Sequence, residues 1–291
     1  MSTNAAGPDP SQIIPYGHIP HSGIAILFLT LFGISTIAHF AQAVHFRMWW
    51  LIPTACLCGI GEIIGWSGRY WSSQNPTASD PFMIQITCTI ISPTPLIAVS
   101  FVLLSRLIER LGSCYSRLSP KAYTIIFVSS DITALFIQGA GGGIAASSET
   151  ESGNQLGSNV MLAGIVVQFV ALCAYIACGA DFLRNYLTQR PVRAGQERGE
   201  FTARLKILVY ALGFSTTVLF IRSVYRIVEL ADGWTGSIIT TEAYFNALDG
   251  GMVVLAIYTL NIAHPGVMLA AGKGSPDYIM QHLAGRSSTS I

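Results

Sequence analysis

Seven long apolar stretches constrain this chain more than any other feature of its sequence. An α-helix needs about 20 mostly apolar residues to cross the hydrocarbon core of a bilayer, and each stretch reaches that length. Hydrophobic residues make up 51% of the chain and charged residues only 11%, which is less charge than a water-soluble domain carries. We therefore predict an all-α polytopic integral membrane protein, a bundle of seven transmembrane helices. The predicted spans are Gly23–Val44, Trp49–Tyr70, Pro81–Leu107, Tyr123–Ala146, Val160–Asp181, Ile207–Val228 and Ala243–His264.

The distribution of lysine and arginine predicts the orientation, because positive residues are retained on the cytoplasmic side of a membrane. Of the 16 Lys and Arg residues, 13 lie in the connections after the first, third and fifth stretches and in the C-terminal tail. The N-terminus is therefore predicted to be outside and the C-terminus inside. This orientation divides the chain into an extracellular tail (residues 1–22), a transmembrane domain (23–264) and a cytoplasmic tail (265–291).

The charge and the connections disfavour several classes of function. Nucleic acid is excluded as a partner because the net charge is only +1 and no long basic run occurs. The connections are short and contain neither a P-loop nor a dinucleotide fingerprint, so no nucleotide site is predicted. The glycine-rich run Gly139–Gly143 is interpreted as a site of close helix packing.

No metal or other cofactor is predicted from the histidine pattern. His39 and His264 fall near the predicted cytoplasmic ends of their spans, whereas His18 and His21 precede the first span. No His-Glu-x-x-His pattern occurs, so the histidines do not assemble into an obvious zinc site. The seventh span also lacks an internal lysine that could form a retinal Schiff base.

Polar residues inside the spans are the main functional signal, because an ionisable residue at the membrane centre costs at least about 2.5 kcal/mol. They recur at helical spacing on four spans, so each set shares one face of its helix. The sets are Glu62 with Arg69, Asp131 with Gln138, Arg222 with Tyr225, Arg226 and Glu229, and Glu242 with Asn246 and Asp249.

Most of these residues fall in the predicted outer half of the membrane, with Asp131 near mid-depth. If the faces converge, they form a charged cluster in which arginines oppose carboxylates. One interpretation is a structural network of ion pairs that holds the helices together. The other is a binding cavity, in which carboxylates unmatched by arginine would suit an amine and the arginines would suit a carboxylate or phosphate.

These motifs resemble the RTA1-like family of fungal seven-span membrane proteins, also called lipid-translocating exporters. The Arg-Ser-Val-Tyr-Arg-Ile-Val-Glu stretch from Arg222 to Glu229 is the most specific part, and the resemblance extends from Tyr16 to Pro265. It also includes Gln168 and the prolines of the third span, which are expected to free backbone carbonyls. Phe101 and Ser105 depart from the family pattern, where tyrosine and glycine are usual.

The resemblance implies movement of sphingoid long-chain bases and similar amphiphiles across the plasma membrane, with protection from toxic lipids or drugs. The expected partners are membrane lipids and an amphiphilic, sphingoid base-like substrate, whereas any protein partner stays unidentified. The candidate substrate-binding or translocation residues are Glu62, Arg69, Asp131, Gln138, Gln168, Arg222, Tyr225, Arg226, Glu229, Glu242, Asn246 and Asp249.

Three functional hypotheses follow from these observations. The first is a transporter, exporter or floppase without an ATP site, in which Asp131 is the residue expected to change protonation. The second is a seven-span sensor or receptor for a lipid-like ligand. The third, a membrane-embedded zinc hydrolase, is the least supported, so the chain is not predicted to be an enzyme.

The charge distribution makes a direct prediction about topology. An epitope tag fused before residue 1 should be labelled by antibody on intact cells, because the N-terminus is predicted outside. A tag after residue 291 should be labelled only after permeabilisation. Labelling of the C-terminal tag on intact cells would show that the predicted orientation is wrong.

Overall fold

The computed structural model describes residues 14, 16–148, 150–194, 198–233 and 236–270. Within these residues the chain is all-helical, with seven helices long and apolar enough to span a membrane, which confirms the predicted fold class. Most of both predicted tails, residues 1–13, 15 and 271–291, lies outside the described residues. The spans are Ser22–His45, Trp49–Gln74, Ser79–Leu111, Pro120–Ser147, Glu151–Leu187, Ala203–Asp232 and Glu242–Met268.

The two ends of the bundle differ in composition. The N-terminal face carries the connections after the second, fourth and sixth spans, and the arginine-rich face carries those after the first, third and fifth spans. On the arginine-rich face, the connection after the fifth span pairs with the one after the third, with Val192 N donating to Cys114 O at 2.8 Å.

The third span is the most buried of the seven and packs against the second, fourth, fifth and sixth spans. It consists of two helices, Ser79–Ile91 and Pro93–Leu111, which meet at Ser92. Pro93 and Pro95 have no N–H to donate, so the carbonyls four residues earlier lose their helical partners. Arg222 of the sixth span donates to one of them, with its Nη2 at 2.5 Å from Thr89 O. This contact confirms the predicted interruption and explains how it is tolerated inside a membrane.

Two other spans contain a π-helical segment, in which the backbone is wider than in an α-helix. The second span begins with a 3₁₀ turn at Trp49–Leu51 and a π-helical segment at Ile52–Cys56, followed by the α-helix Leu57–Gln74. The seventh span consists of Glu242–Tyr244, the π-helical segment Phe245–Gly251, Met252–Ile262 and Pro265–Met268. Such segments are rare and are frequent at functional sites. The one in the seventh span contains Asp249.

Glycines bring the fourth and fifth spans into close contact. A Cβ atom at Gly141 would lie 2.5 Å from Met161 N, and one at Gly157 would lie 2.6 Å from Ala145 N. Gly142 is similarly close to Thr87, whereas Gly139 and Gly143 face open space. The interpretation of this run as a packing site therefore holds for Gly141 and Gly142.

The first span ends in a turn that normally contains glycine. Arg47 N donates to Val44 O at 3.2 Å and Met48 N donates to Ala43 O at 2.9 Å, which is the Schellman pattern of a helix C-terminus. Arg47 occupies its left-handed position, with φ of 54°. A side chain there costs about 1 kcal/mol relative to glycine, so the turn would be less strained without the arginine.

The glycine contacts predict a difference between two neighbouring substitutions. Gly141→Val should lower the free energy of unfolding by about 1–3 kcal/mol or more, because its Cβ would meet backbone atoms of the fifth span. Gly143→Val, on the same helix, should have little effect because its Cβ meets open space. Thermal unfolding of both purified variants in detergent tests this, and equal stability of the two would contradict the packing.

Candidate functional site

A buried ion-pair cluster joins the sixth and seventh spans. Arg226 donates to both oxygens of Asp249, from Nε to Oδ1 at 2.8 Å and from Nη2 to Oδ2 at 2.6 Å. Arg222 Nε lies 2.8 Å from the same Oδ1. All three side chains are at most 4% exposed. One carboxylate therefore holds two guanidinium groups inside the bundle.

Both terminal nitrogens of Arg226 make further hydrogen bonds. Its Nη1 donates to Glu229 Oε2 at 2.6 Å, and its Nη2 donates to Thr89 Oγ1 at 2.7 Å. Tyr225 donates from its hydroxyl to the other Glu229 oxygen at 2.8 Å. Through Nε and both terminal nitrogens, Arg226 contacts residues of the third, sixth and seventh spans, and these contacts fix its position.

The described N-terminal residues continue this network toward the N-terminal face. Gln85 Nε2 donates to Thr89 Oγ1 at 3.3 Å, and the Tyr16 hydroxyl donates to Gln85 Oε1 at 2.8 Å. Burial raises the pKa of Tyr16, so its phenol remains a donor at neutral pH. The segment before the first span therefore lies over the cluster.

A second ion pair lies nearer the N-terminal face. Arg69 Nη2 donates to Glu242 Oε1 at 3.1 Å, and the guanidinium carbon lies 4.6 Å from the centroid of the Phe245 ring. The guanidinium carbon of Arg226 lies 5.2 Å from the same centroid. Burial and Arg69 lower the pKa of His18, so its 3.8 Å contact with Glu242 is not an ion pair at neutral pH. The Phe245 ring therefore contacts the guanidinium groups of both the outer ion pair and the central cluster.

Glu62 is fully buried beside the central cluster but forms no ion pair with any described residue. It is within electrostatic range of Asp249, Arg222 and Arg226. Neither of its oxygens accepts a hydrogen bond of good geometry from the described part of the chain. With Glu62 included, the cluster contains three carboxyl groups and two guanidinium groups.

Asp131, Gln138 and Gln168 form a separate cluster on the other side of the third span. Gln168 Nε2 donates to Asp131 Oδ1 at 3.3 Å and to Thr94 Oγ1 at 3.1 Å, and Gln138 Nε2 donates to Gln168 Oε1 at 3.1 Å. Asp131 Oδ2 has no hydrogen-bond partner among the described residues. No arginine of the described residues reaches Asp131, because the fourth span packs on the fifth rather than on the sixth.

The candidate residues are thus divided between three places. The structure brings Glu62, Arg222, Tyr225, Arg226, Glu229 and Asp249 together, pairs Arg69 with Glu242, and groups Asp131 with Gln138 and Gln168. The side-chain oxygen of Asn246 is buried without a hydrogen-bond partner among the described residues, so it joins none of these networks.

Four contributing residues were missed by the search for polar residues at helical spacing. Thr89 and Thr94 flank the break in the third span, Gln85 lies one turn before Thr89, and Tyr16 precedes the first span. Thr89 could have been found, since it lies four residues before Pro93 and so has a carbonyl without a helical partner. The sequence contains no comparable signal for Tyr16.

An apolar groove of about 270 Å³ opens on the side of the bundle, between the third, fifth and sixth spans and toward the arginine-rich face. Leu104, Tyr175 and Leu212 contribute to its walls, and Gly179 and Gly213 keep it open. A Cβ at Gly213 would meet nothing within 4 Å. The described residues include no group of three or more His, Cys, Asp or Glu side chains that could hold a metal ion.

Comparison with known proteins identifies relatives of this chain. The sequence profile described as RTA1 like protein matches residues 55–271. The sphingoid long-chain base transporter RSB1 of Saccharomyces cerevisiae is 31% identical, covering 86% of this chain and 73% of its own. The proteins RTM1 and RTA1 of the same yeast are 30% and 26% identical, covering 68% and 86% of this chain and 62% and 84% of their own. No solved structure matches.

The central cluster predicts a large effect of neutralising Asp249. Asp249→Asn should lower the free energy of unfolding by about 3–5 kcal/mol, because two buried guanidinium groups lose their shared counter-ion. Asp181→Asn removes a carboxylate that pairs with the exposed Arg117 and should leave stability unchanged within error. Thermal unfolding in detergent compares the two, and equal stability would show that the buried pairs contribute little.

Proposed function

The chain belongs to the RTA1-like family of membrane proteins, and from that premise we propose that it transports sphingoid long-chain bases across the plasma membrane. It is a multi-pass membrane protein, and a related yeast protein, 73% of which aligns with this chain, is named as a transporter of this substrate class. Sphingoid bases have an ammonium group, neighbouring hydroxyl groups and one long alkyl chain. Each of these three parts has a matching feature in the bundle.

The observation that carries the proposal is that two buried carboxyl groups lack an arginine partner. Glu229 and Asp249 are paired with Arg222 or Arg226, whereas Glu62 and Asp131 form no ion pair with a described residue. A buried carboxylate is stabilised by an opposite charge, and a substrate ammonium group would supply it. We therefore assign Glu62 and Asp131 as two separate contact points for the ammonium group, one on each side of the third span.

The surroundings of Asp131 suit a hydroxylated head group. Gln138, Gln168 and Thr94 offer amide and hydroxyl groups within one hydrogen-bonded cluster. Such groups both donate and accept, so they can exchange their mutual hydrogen bonds for bonds to substrate hydroxyls. The apolar groove near Tyr175 lies about two helical turns from Gln168 on the same span, and we assign the alkyl chain to it.

The central arginines are assigned a structural role in this scheme. Arg226 has its donor nitrogens engaged, so it is not available to bind substrate without breaking several short contacts. Movement of substrate would be facilitated or coupled to an ion gradient, since the chain has no nucleotide motif. No catalytic step is assigned.

The proposal predicts a loss of transport when an unpaired carboxyl group is neutralised. Purified protein in liposomes should move a fluorescent sphingoid base across the bilayer, and Asp131→Asn or Glu62→Gln should reduce the rate at least about tenfold. Asp80→Asn changes an exposed carboxylate at the start of the third span and should not alter the rate. Equal incorporation and equal thermal stability must be verified for all variants.

One result would overturn transport, and another would overturn the assignment of the head-group ligands. Saturable binding of the sphingoid base without flux in the wild type would indicate the sensor instead. Flux that is unaffected by both Asp131→Asn and Glu62→Gln would leave transport intact but remove these residues from it.

A further inference from the structure

A large polar pocket lies on the arginine-rich face, far from the clusters described above. Its volume is about 870 Å³, and it lies where the ends of the first and third spans meet the start of the second. Its walls include Arg47, Trp50, Arg106, Glu109, Arg110 and Leu269. The proposed transport function does not use this pocket.

Three arginines give the pocket a net positive charge. Arg106 Nη1 lies 3.6 Å from Glu109 Oε2, but these side chains are 59% and 44% exposed, so the pair is weak. Arg110 Nη2 donates to the Leu269 carbonyl at 2.6 Å, which positions the guanidinium without neutralising it. Arg47 forms no ion pair with a described residue. The pocket is therefore suited to an anion.

The backbone at Arg47 has a conformation that favours glycine. This residue occupies the left-handed position of the Schellman turn, where glycine would be less strained. Gln189 occupies the same position after the fifth span, with φ of 55°, so the backbone conformation alone does not assign a function to either side chain. Replacing Arg47 by glycine therefore removes one charge from the pocket while it relieves the turn.

The position of the pocket identifies the source of the anion. Trp50 forms part of its wall and Trp49 is 58% exposed, and tryptophan is enriched at the level of the lipid head groups. The arginine-rich face is the one predicted to be cytoplasmic, where the membrane leaflet is rich in anionic lipids. A lipid phosphate at this level would lie within reach of the arginines.

We propose that this pocket binds the phosphorylated head group of a phosphoinositide. Guanidinium groups bind phosphate through paired, charge-assisted hydrogen bonds, and three of them match a head group that bears more than one phosphate. The pocket is also large enough for an inositol ring between the phosphates. Basic pockets between spans on the cytoplasmic side are a known way of holding such head groups.

The proposal is tested by titrating the purified full chain in detergent with dioctanoyl phosphatidylinositol 4,5-bisphosphate. Saturable binding of one lipid per chain is expected, and Arg47→Gly should weaken it at least about tenfold, because a charge-assisted contact is lost. The same variant should have an equal or higher Tm without lipid, since glycine relieves the turn. This combination distinguishes loss of binding from loss of folding.

A second variant and a matched control complete the experiment. Arg106→Gln should also weaken binding, whereas Arg204→Gln, an exposed arginine on the same face that does not line the pocket, should not. No saturable binding to wild type, or an equal loss in Arg204→Gln, would overturn the proposal. Equal affinity for soluble inositol 1,4,5-trisphosphate would overturn the lipid as the source, and equal affinity for dioctanoyl phosphatidylserine would overturn the phosphoinositide.

Discussion

Asp249 holds two arginines of the neighbouring helix, and the arrangement of the bundle depends on that contact. A bidentate pair fixes distance and angle together, so it sets how far the seventh span is translated and rotated against the sixth. Arg226 extends the same constraint to Thr89 of the third span. In lipid, where apolar faces gain little from meeting one another, directional contacts of this kind select one packing among many.

The break in the third span divides the polar interior of the bundle into two clusters. Pro93 frees the Thr89 carbonyl toward the sixth span, where Arg222 donates to it. Thr94, just after the break, contacts Gln168 on the fifth span. The arginine cluster and the cluster around Asp131 therefore lie on different sides of one helix, with the interruption between them. Two carboxylates are paired with arginines on the first side, where Glu62 is left unpaired, and Asp131 has no arginine partner among the described residues on the second.

The number of spans and the polar faces could be predicted from the sequence, because length and periodicity determine them directly. The ends of the spans were less predictable. The fifth helix starts at Glu151 rather than near Val160, since Thr150 caps a polar turn that no apolar pattern reveals. The pairing of the charged residues was beyond prediction, because it depends on the rotation of each helix about its axis. Asp131 has the same periodic signature as Glu62, yet the glycine contact of its span with the fifth helix places it in another cluster.

The ring of Phe245 has a consequence for the membrane that contains this protein. Charged residues stacked from one face toward the middle of a bilayer would, if joined by water, offer a path along which ions leak. Phe245 contacts the guanidinium groups of both Arg69 and Arg226, so an apolar surface faces both levels. The polar groups that also connect the levels, those of Tyr16, Gln85 and Thr89, are already hydrogen-bonded to one another. Water that enters beside Arg69 therefore meets an aromatic ring and a chain of polar groups whose hydrogen bonds are already made.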